Sequence, residues 1–359
     1  MDLPVMPPVD PMLAKLAREL PEIEGAVYEP KWDGFRALVF RDGDDVRIDS
    51  RDHRDLARYF PELVPVFLAQ LPSRCVVDGE IVVAGPKGLD FNLLQQRIHP
   101  AASRIDRLAR ETPASYVLFD VLALGDRNLC DTPMAQRRTA LEAEVGPVEP
   151  PLHITPATTD PTVARGWLDQ FVGAGLDGVM VKDPGLAYQP GKRVMVKVKH
   201  ERTADCVVAG YRPHKDGHGV GSLLLGLFDG RGTLHYVGVC TGFTREARGR
   251  VLEEVEPYRM TDLSEHPWAA WADEEAHQRQ LMPGTPSRWA AARAKGGGSA
   301  DWVPLRPDRV AEVRYEHLQG ARFRNPARFV RWRDDRDPAS CTYGQLVEAV
   351  PVELTEWFR

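Results

Sequence analysis

Apolar and polar positions alternate along this chain in short runs, and the character of the alternation changes near the middle. After a proline-rich start, Pro11 to Leu20 carries Leu, Ala and Lys at spacings that predict a brief helix. Ala26 to Lys31 reads as a strand. Ala37 to Phe40 and Val46 to Ile48 flank an Asp-Gly turn and predict a β-hairpin. Phe60 to Leu71 predicts a helix with Pro61 at its start. Cys75 to Ala84 reads as a strand interrupted by Asp78-Gly79-Glu80, and Phe91 to Ile98 as a helix. Tyr116 to Leu124 predicts a strand and Met134 to Val145 a helix. Asp160-Pro161 supplies an N-cap and a first-turn proline for a helix reaching about Gly173. Val179 to Lys182 and Val194 to Val198 are short strands.

Beyond about Arg202 the pattern becomes a succession of β segments, Cys206 to Tyr211, Ser222 to Phe228 and Leu234 to Cys240, with a turn at Asp229 to Gly232. Thr244 to Tyr258 reads as a helix, and strand character resumes at Val310 to Tyr315 and Phe329 to Trp332. Short strands separated by turn signals suggest a small barrel of OB type. The stretch from 259 to 303 is irregular and contains Lys295-Gly296-Gly297-Gly298-Ser299, a flexible-loop composition. The expected class is therefore α+β, with residues 1–202 as one domain and 203–359 as the barrel domain.

Composition narrows the function classes. With 359 residues, 43% hydrophobic and 27% charged, the chain suits a globular protein of two or three domains. No apolar run is long enough to span a bilayer, and the N-terminus has neither a basic nor an apolar leader region, so a cytoplasmic location is expected. The five cysteines are dispersed, with no C-x-x-C pair to hold structural zinc. A net charge of −6 argues against a protein coated in basic charge. Any nucleic-acid surface must be local. Lys182 to Arg202 holds six Lys/Arg against two acids, and Leu305 to Arg336 nine Arg against five.

The chemistry centres on Glu29-Pro30-Lys31-Trp32-Asp33-Gly34-Phe35-Arg36. A lysine at the end of an apolar strand, followed by an Asp-Gly turn and an arginine, presents an amine beside a cation. That arrangement can hold a nucleophile against a phosphate. The octapeptide resembles the K-x-D-G-x-R signature of covalent nucleotidyltransferases, the family of DNA ligases, RNA ligases and mRNA capping enzymes. The resemblance implies an adenylation domain of antiparallel sheets flanked by helices, followed by an OB-fold barrel, with Lys31 attacking the α-phosphate of a nucleoside triphosphate.

Further elements follow in that family's order. Val77-Asp78-Gly79-Glu80 resembles its L-D-G-E element, which makes Glu80 a metal or ribose contact. Tyr116-Val117-Leu118-Phe119-Asp120 resembles the strand whose aromatic, here Phe119, stacks on the base. Leu176 to Lys182 resembles E-G-x-M-x-K, with Asp177 where Glu is usual as the metal contact and Lys182 on a phosphate. Val196-Lys197-Val198-Lys199 resembles K-x-K, and strand parity would aim both lysines at the phosphates while Val196 and Val198 pack behind. Ser50-Arg51 matches a short S-R element whose arginine faces the nucleotide and the nick, and Glu29 matches the position that receives the adenine amino group. Arg328 to Arg336 resembles the ligase motif whose R-x-D-K core orients the pyrophosphate, here Arg333 and Arg336, with Arg331 and Arg333 sharing a strand face opposite Val330 and Trp332.

The likeness spans nearly the whole chain and is greatest to stand-alone ATP-dependent ligases of bacterial end-joining systems. It implies ATP, with AMP carried on Lys31, Mg²⁺ or Mn²⁺ at Glu80 and Asp177, and sealing of 3′-OH/5′-phosphate breaks in nicked or broken duplex DNA during repair. A monomer with a hinge near Arg202, recruited by a DNA-end-binding or repair factor, is expected. The cations Lys182, Lys197 and Lys199, with metal, are expected to lower the Lys31 pKa. Rivals are an RNA ligase, a GTP-dependent capping guanylyltransferase and a catalytically inactive OB-fold binder. The His214 to Gly219 run reads as a polar loop rather than a metal site, and the Trp-rich stretch from 268 to 302 as either a DNA-wrapping insertion or a packed loop.

Overall fold

The computed structural model describes residues 1–21, 23–85, 88–170, 176–199, 202–269 and 302–346. The chain divides into two compact units that part at His200 and Glu201, the second running to Val347. Residues 347–359, expected in the barrel domain, and most of the Trp-rich stretch lie outside the described residues.

In the first unit the strands are β1 (Leu13–Ala17), β2 (Val27–Trp32), β3 (Phe35–Asp42), β4 (Asp45–Ser50), β5 (Arg74–Gly85), β6 (Gly88–Leu89), β7 (Ala114–Leu124), β8 (Arg127–Asn128), β9 (Leu152–Ile154), β10 (Leu176–Lys182) and β11 (Arg193–Val198). The helices are α1 (Leu63–Gln70), α2 (Phe91–Gln96), α3 (Ala102–Glu111), α4 (Met134–Ala140) and α5 (Pro161–Gln170). Two sheets form, one of four strands in the order β1-β11-β10-β2 and one of seven built on β4-β3-β5-β7-β8.

Register explains why each sheet is apolar on one side and charged on part of the other. In the small sheet Tyr28, Val181 and Val196 stand in one cross-strand row, as do Pro30, Val179 and Val198. The apolar members of these rows pack with Ala164 and Trp167 of α5. The alternate positions, Glu29 opposite Met180 opposite Lys197, face the other way. In the large sheet Val39, Val77 and Leu118 join the core under α1 and α2. On its opposite side Phe40 and Val76 pack with Met12 and Tyr188, and further along that side stand Asp78 and the directly paired Arg36 and Glu80.

Four expectations need correction. Pro11 to Leu20 contains a strand, not a helix, because β1 adds in parallel to β11 and the ladder outweighs local helix propensity. Asp78-Gly79-Glu80 does not interrupt its strand. Gly79 instead lets the Tyr116 ring lie over the backbone, since a Cβ there would stand 2.4 Å from Tyr116 Cζ. Helix α3 was missed, and the predicted helix from Met134 gives way to a π turn at Leu141–Val145.

The second unit contains β12 (Arg202–Pro213), β13 (Val220–Phe228), β14 (Leu234–Thr241), α6 (Arg245–Val255), β15 (Val303–Tyr315), β16 (Leu318–Gln319), β17 (Arg322–Phe323) and β18 (Ala327–Trp332). Five of these strands close a barrel in the order β12-β13-β14-β18-β15, as in an OB fold. Thr244 caps α6, which sends Val251 and Val255 into the barrel core. Trp268 is buried in the same core, its indole N–H donating to Leu234 O at 2.8 Å. On β18, Glu312 pairs with Arg331 and Val313 with Phe329, so Val330 is an extra, bulged residue and is 39% exposed.

In β10, Gly178 has φ +138°, and a Cβ there would lie 2.0 Å from Val198 O. Gly178→Ala is expected to lower stability by roughly 1–3 kcal/mol. Gly43→Ala, at a turn with open space around it, should cost about 1 kcal/mol. Denaturant midpoints of the two variants check the contrast.

Candidate functional site

Two β-bulges build the centre of the first unit. Leu176 pairs with Trp32 and Gly178 with Lys31, so Asp177 is the extra residue on β10. The bulge turns its carboxylate onto Lys31, whose Nζ lies 2.6 Å from Asp177 Oδ2. In β7, Leu118 pairs with Gly79 and Asp120 with Asp78, which leaves Phe119 as the extra residue. Its ring has the Arg36 guanidinium 5.2 Å from its centre and the Lys182 ammonium 5.1 Å from it.

Around Lys31 the balance of charge is negative. Lys199 Nζ sits 3.2 Å from the second oxygen of Asp177, so one carboxylate holds two ammonium groups. Gly34 N–H donates to Glu80 Oε1 at 3.2 Å, tying the Asp-Gly turn to β5. Burial by itself would lower the Lys31 pKa, but Asp177, Glu80 and Asp33 together carry it upward. Among the side chains themselves the balance thus runs upward, the reverse of the direction expected from the neighbouring lysines. Of those cations, Lys199 contacts Asp177, and Lys182 reaches Glu29 Oε2 at 2.7 Å and the Phe119 carbonyl at 3.1 Å. Burial pushes the Glu80 carboxyl up to about 7, with Lys31 and Arg36 pulling it down.

A buried polar relay fixes Arg36. Its fork donates to both oxygens of Asp78, at 3.0 and 2.6 Å, and to Met12 O at 2.6 Å. Tyr188 donates its hydroxyl to the same Asp78 at 2.7 Å. Arg137, fully buried on α4, stacks on the Tyr188 ring and grips Asp120 through two bonds of 2.8 and 2.9 Å. Asp120 follows Phe119, so the relay holds the motif arginine and the bulged aromatic to one frame.

Glu29 is 2% exposed. Burial raises its pKa against the pull of Lys182 and Arg138. Lys197 is half-buried on β11 at the parity of Lys199, while Val196 and Val198 pack on the opposite side as expected. Arg51 stands exposed in the turn after β4. In the second unit Arg333 donates to both oxygens of Asp205, at 3.0 and 2.9 Å, and to Asp335 at 2.8 Å, and Arg336 lies 3.6 Å from Asp205. Arg331 pairs with Glu312 at 2.7 Å, and Glu312 stands directly opposite Asp205 across β12 and β15. The arginines thus screen two facing carboxylates. The His214 run forms a turn in which His214 pairs with Asp216 at 2.7 Å.

Asp177 and Glu80 are the carboxylates that act most strongly on Lys31, and no group of three or more metal-ligating side chains occurs among the described residues. One or two carboxylates suit a magnesium ion whose shell is completed by phosphates and water. Sequence reasoning missed Arg137, Arg138 and Tyr188. An Arg-Arg pair on an amphipathic helix reads as a solvated face, and a lone tyrosine in a loop carries no periodic signal.

Residues 11–199 match the family described as ATP dependent DNA ligase domain, and 216–336 match ATP dependent DNA ligase C terminal region. The chain is 53% identical to DNA ligase C of Mycobacterium tuberculosis, over 99% of this chain and 98% of that protein. It is 52% identical to DNA ligase C2 of Mycolicibacterium smegmatis, over 96% of each. A solved structure from a study of Lig E DNA ligases matches with a TM-score of 0.53 at 18% identity, covering 90% of this chain and 99% of that one, which shows a shared fold.

Removing the Asp177 charge removes the strongest influence that raises the Lys31 pKa. Asp177→Asn is expected to move the titration of the Lys31 ammonium, followed by NMR of the labelled side chain in nucleotide-free protein, to lower pH. An unchanged titration would contradict the assigned cause.

Proposed function

Because this chain belongs to the family of ATP-dependent DNA ligases, we propose that Lys31 is the nucleophile that takes AMP from ATP and that the residues around it form the nucleotide site. The ligase activity follows from the family; the residue roles are our assignment. The observation that carries it is the Lys31 amine, held against a carboxylate in a charged cluster beside a half-buried aromatic.

In the first step Lys31 attacks the α-phosphate and pyrophosphate leaves. The amine must be neutral to do so, and a raised pKa keeps it protonated in the free protein. Asp177, in contact with the ammonium, is placed to receive its proton or to hold it until a base takes it. Glu80 and Asp177 would hold Mg²⁺ or Mn²⁺. The bound cation supplies neutralisation of phosphate charge. Phe119 offers its ring to the base, Glu29 an acceptor to the 6-amino group, and Lys182, Lys197 and Lys199 positive charge to the phosphates. Arg36 and Arg51 are assigned to the nucleotide, Arg51 on sequence alone. Arg333 and Arg336 are assigned to the leaving pyrophosphate, for which they must release Asp205.

AMP then passes to the 5′-phosphate of a nick or break in duplex DNA, and the 3′-OH expels it. A cytoplasmic, monomeric enzyme acting in repair and brought to DNA ends by a partner fits the acidic net charge of −6, which weakens unaided attraction to DNA.

Lys31→Ala is expected to lose covalent labelling by α-labelled ATP while still joining nicked DNA that carries a 5′-adenylate. Retained labelling would overturn the assignment. Arg333→Ala with Arg336→Ala should slow labelling on the order of a hundred-fold, as loss of preorganised donors does at other charged transition states. Rapid-quench labelling measures it.

A further inference from the structure

We infer that Arg138 reads the nucleobase together with Glu29, a proposal that rests on Glu29 being the acceptor of the 6-amino group. Glu29 has one oxygen committed to Lys182, at 2.7 Å, and its other oxygen, Oε1, is buried without a hydrogen-bond partner. Beside it stands Arg138, whose side chain is 12% exposed. Two edges of that guanidinium are taken: Nε donates to Glu142 at 2.6 Å and one terminal nitrogen to the Thr155 carbonyl at 2.7 Å. The remaining nitrogen is buried, has no hydrogen-bond partner, and lies 3.5 Å from Glu29 Oε1. The contact is an ion pair whose geometry leaves both atoms able to bond elsewhere.

The pair is therefore an acceptor and a donor, side by side and unsatisfied. Unsatisfied buried polar atoms are costly, so such a pair is expected where a ligand completes it. Adenine carries the complement: a 6-amino donor next to a ring-nitrogen acceptor, N7 on one edge and N1 on the other. Guanine presents two acceptors, O6 and N7, on the first edge. On its second edge the order of donor and acceptor is reversed. Either way Glu29 would face a carbonyl oxygen in the pose that suits adenine.

The planar fork favours this role. Two of its nitrogens are pinned by Glu142 and the Thr155 carbonyl, so the third is aimed without further loss of freedom. Thr155 also accepts from the Trp32 indole, at 2.9 Å, and Trp32 adjoins Lys31. The base reader and the nucleophile are thus referenced to one loop.

The test compares half-saturating concentrations for covalent labelling with ATP, 7-deaza-ATP, 1-deaza-ATP and purine riboside triphosphate, in the full-length protein and in Arg138→Met. One deaza analogue is expected to need roughly ten-fold more than ATP in the wild type, the effect of one lost hydrogen bond to a charged group. Which analogue it is identifies the ring nitrogen. In Arg138→Met that ratio should fall to near one. A merely structural Arg138 would weaken all nucleotides alike and leave the ratio unchanged, which overturns the proposal. So does a wild type indifferent to both deaza analogues. If the Met variant does not fold, Arg138→Lys, which keeps the charge but not the fork, is judged by the same ratio. The Glu29 reading fails separately, if purine riboside triphosphate, lacking the amino group, labels as well as ATP.

Discussion

The contact between the Lys31 ammonium and Asp177, at 2.6 Å, is the interaction on which the rest of the first unit depends. It exists because β10 carries one more residue than β2 between two paired positions. A regular strand would send Asp177 to the apolar side with Val179 and Val181, against Ala164 of α5. The bulge needs Gly178, whose backbone passes so close to Val198 that no side chain fits. The Lys31 amine, its counter-charge and the Lys199 ammonium are thereby set together by backbone geometry.

Buried ion pairs beyond this contact define position more than they supply stability. Desolvation of charged groups offsets most of the attraction between them. The two-pronged pairs Arg36–Asp78 and Arg137–Asp120, joined through Tyr188, instead fix angles. They hold the strand that follows Lys31 to the strand that carries Phe119. In the barrel unit Asp205 and Glu312 face each other, and Arg331, Arg333 and Arg336 gather on them. Two of these guanidinium groups, Arg333 and Arg336, are the ones assigned to pyrophosphate, so the barrel keeps them oriented by a contact with Asp205 that they can exchange.

Much of this was legible in the sequence. The hairpin at Gly43, the N-cap at Asp160 and the succession of barrel strands follow from local chemistry and period. The motif residues declared themselves as charge in places where strands should be apolar. What was not legible depends on register. Nothing local marks Asp177, Phe119 or Val330 as bulged, because a bulge is a mismatch in count between two distant strands. The same holds for β1, whose helical composition yields to a parallel partner nearly two hundred residues away, Leu16 lying against Lys197. The upward shift of the Lys31 pKa was misjudged for a related reason. Counting lysines in the sequence shows cations, whereas the structure shows which carboxylates have already claimed them.

The central claim is that Lys31 carries the nucleotide. The most direct test is to incubate the protein with ATP and a divalent metal, digest it, and locate the added AMP by peptide mass mapping. The account predicts AMP on Lys31, in a phosphoramidate link that acid cleaves. AMP found on Lys197, Lys199 or any other residue, with Lys31 unmodified, would contradict it.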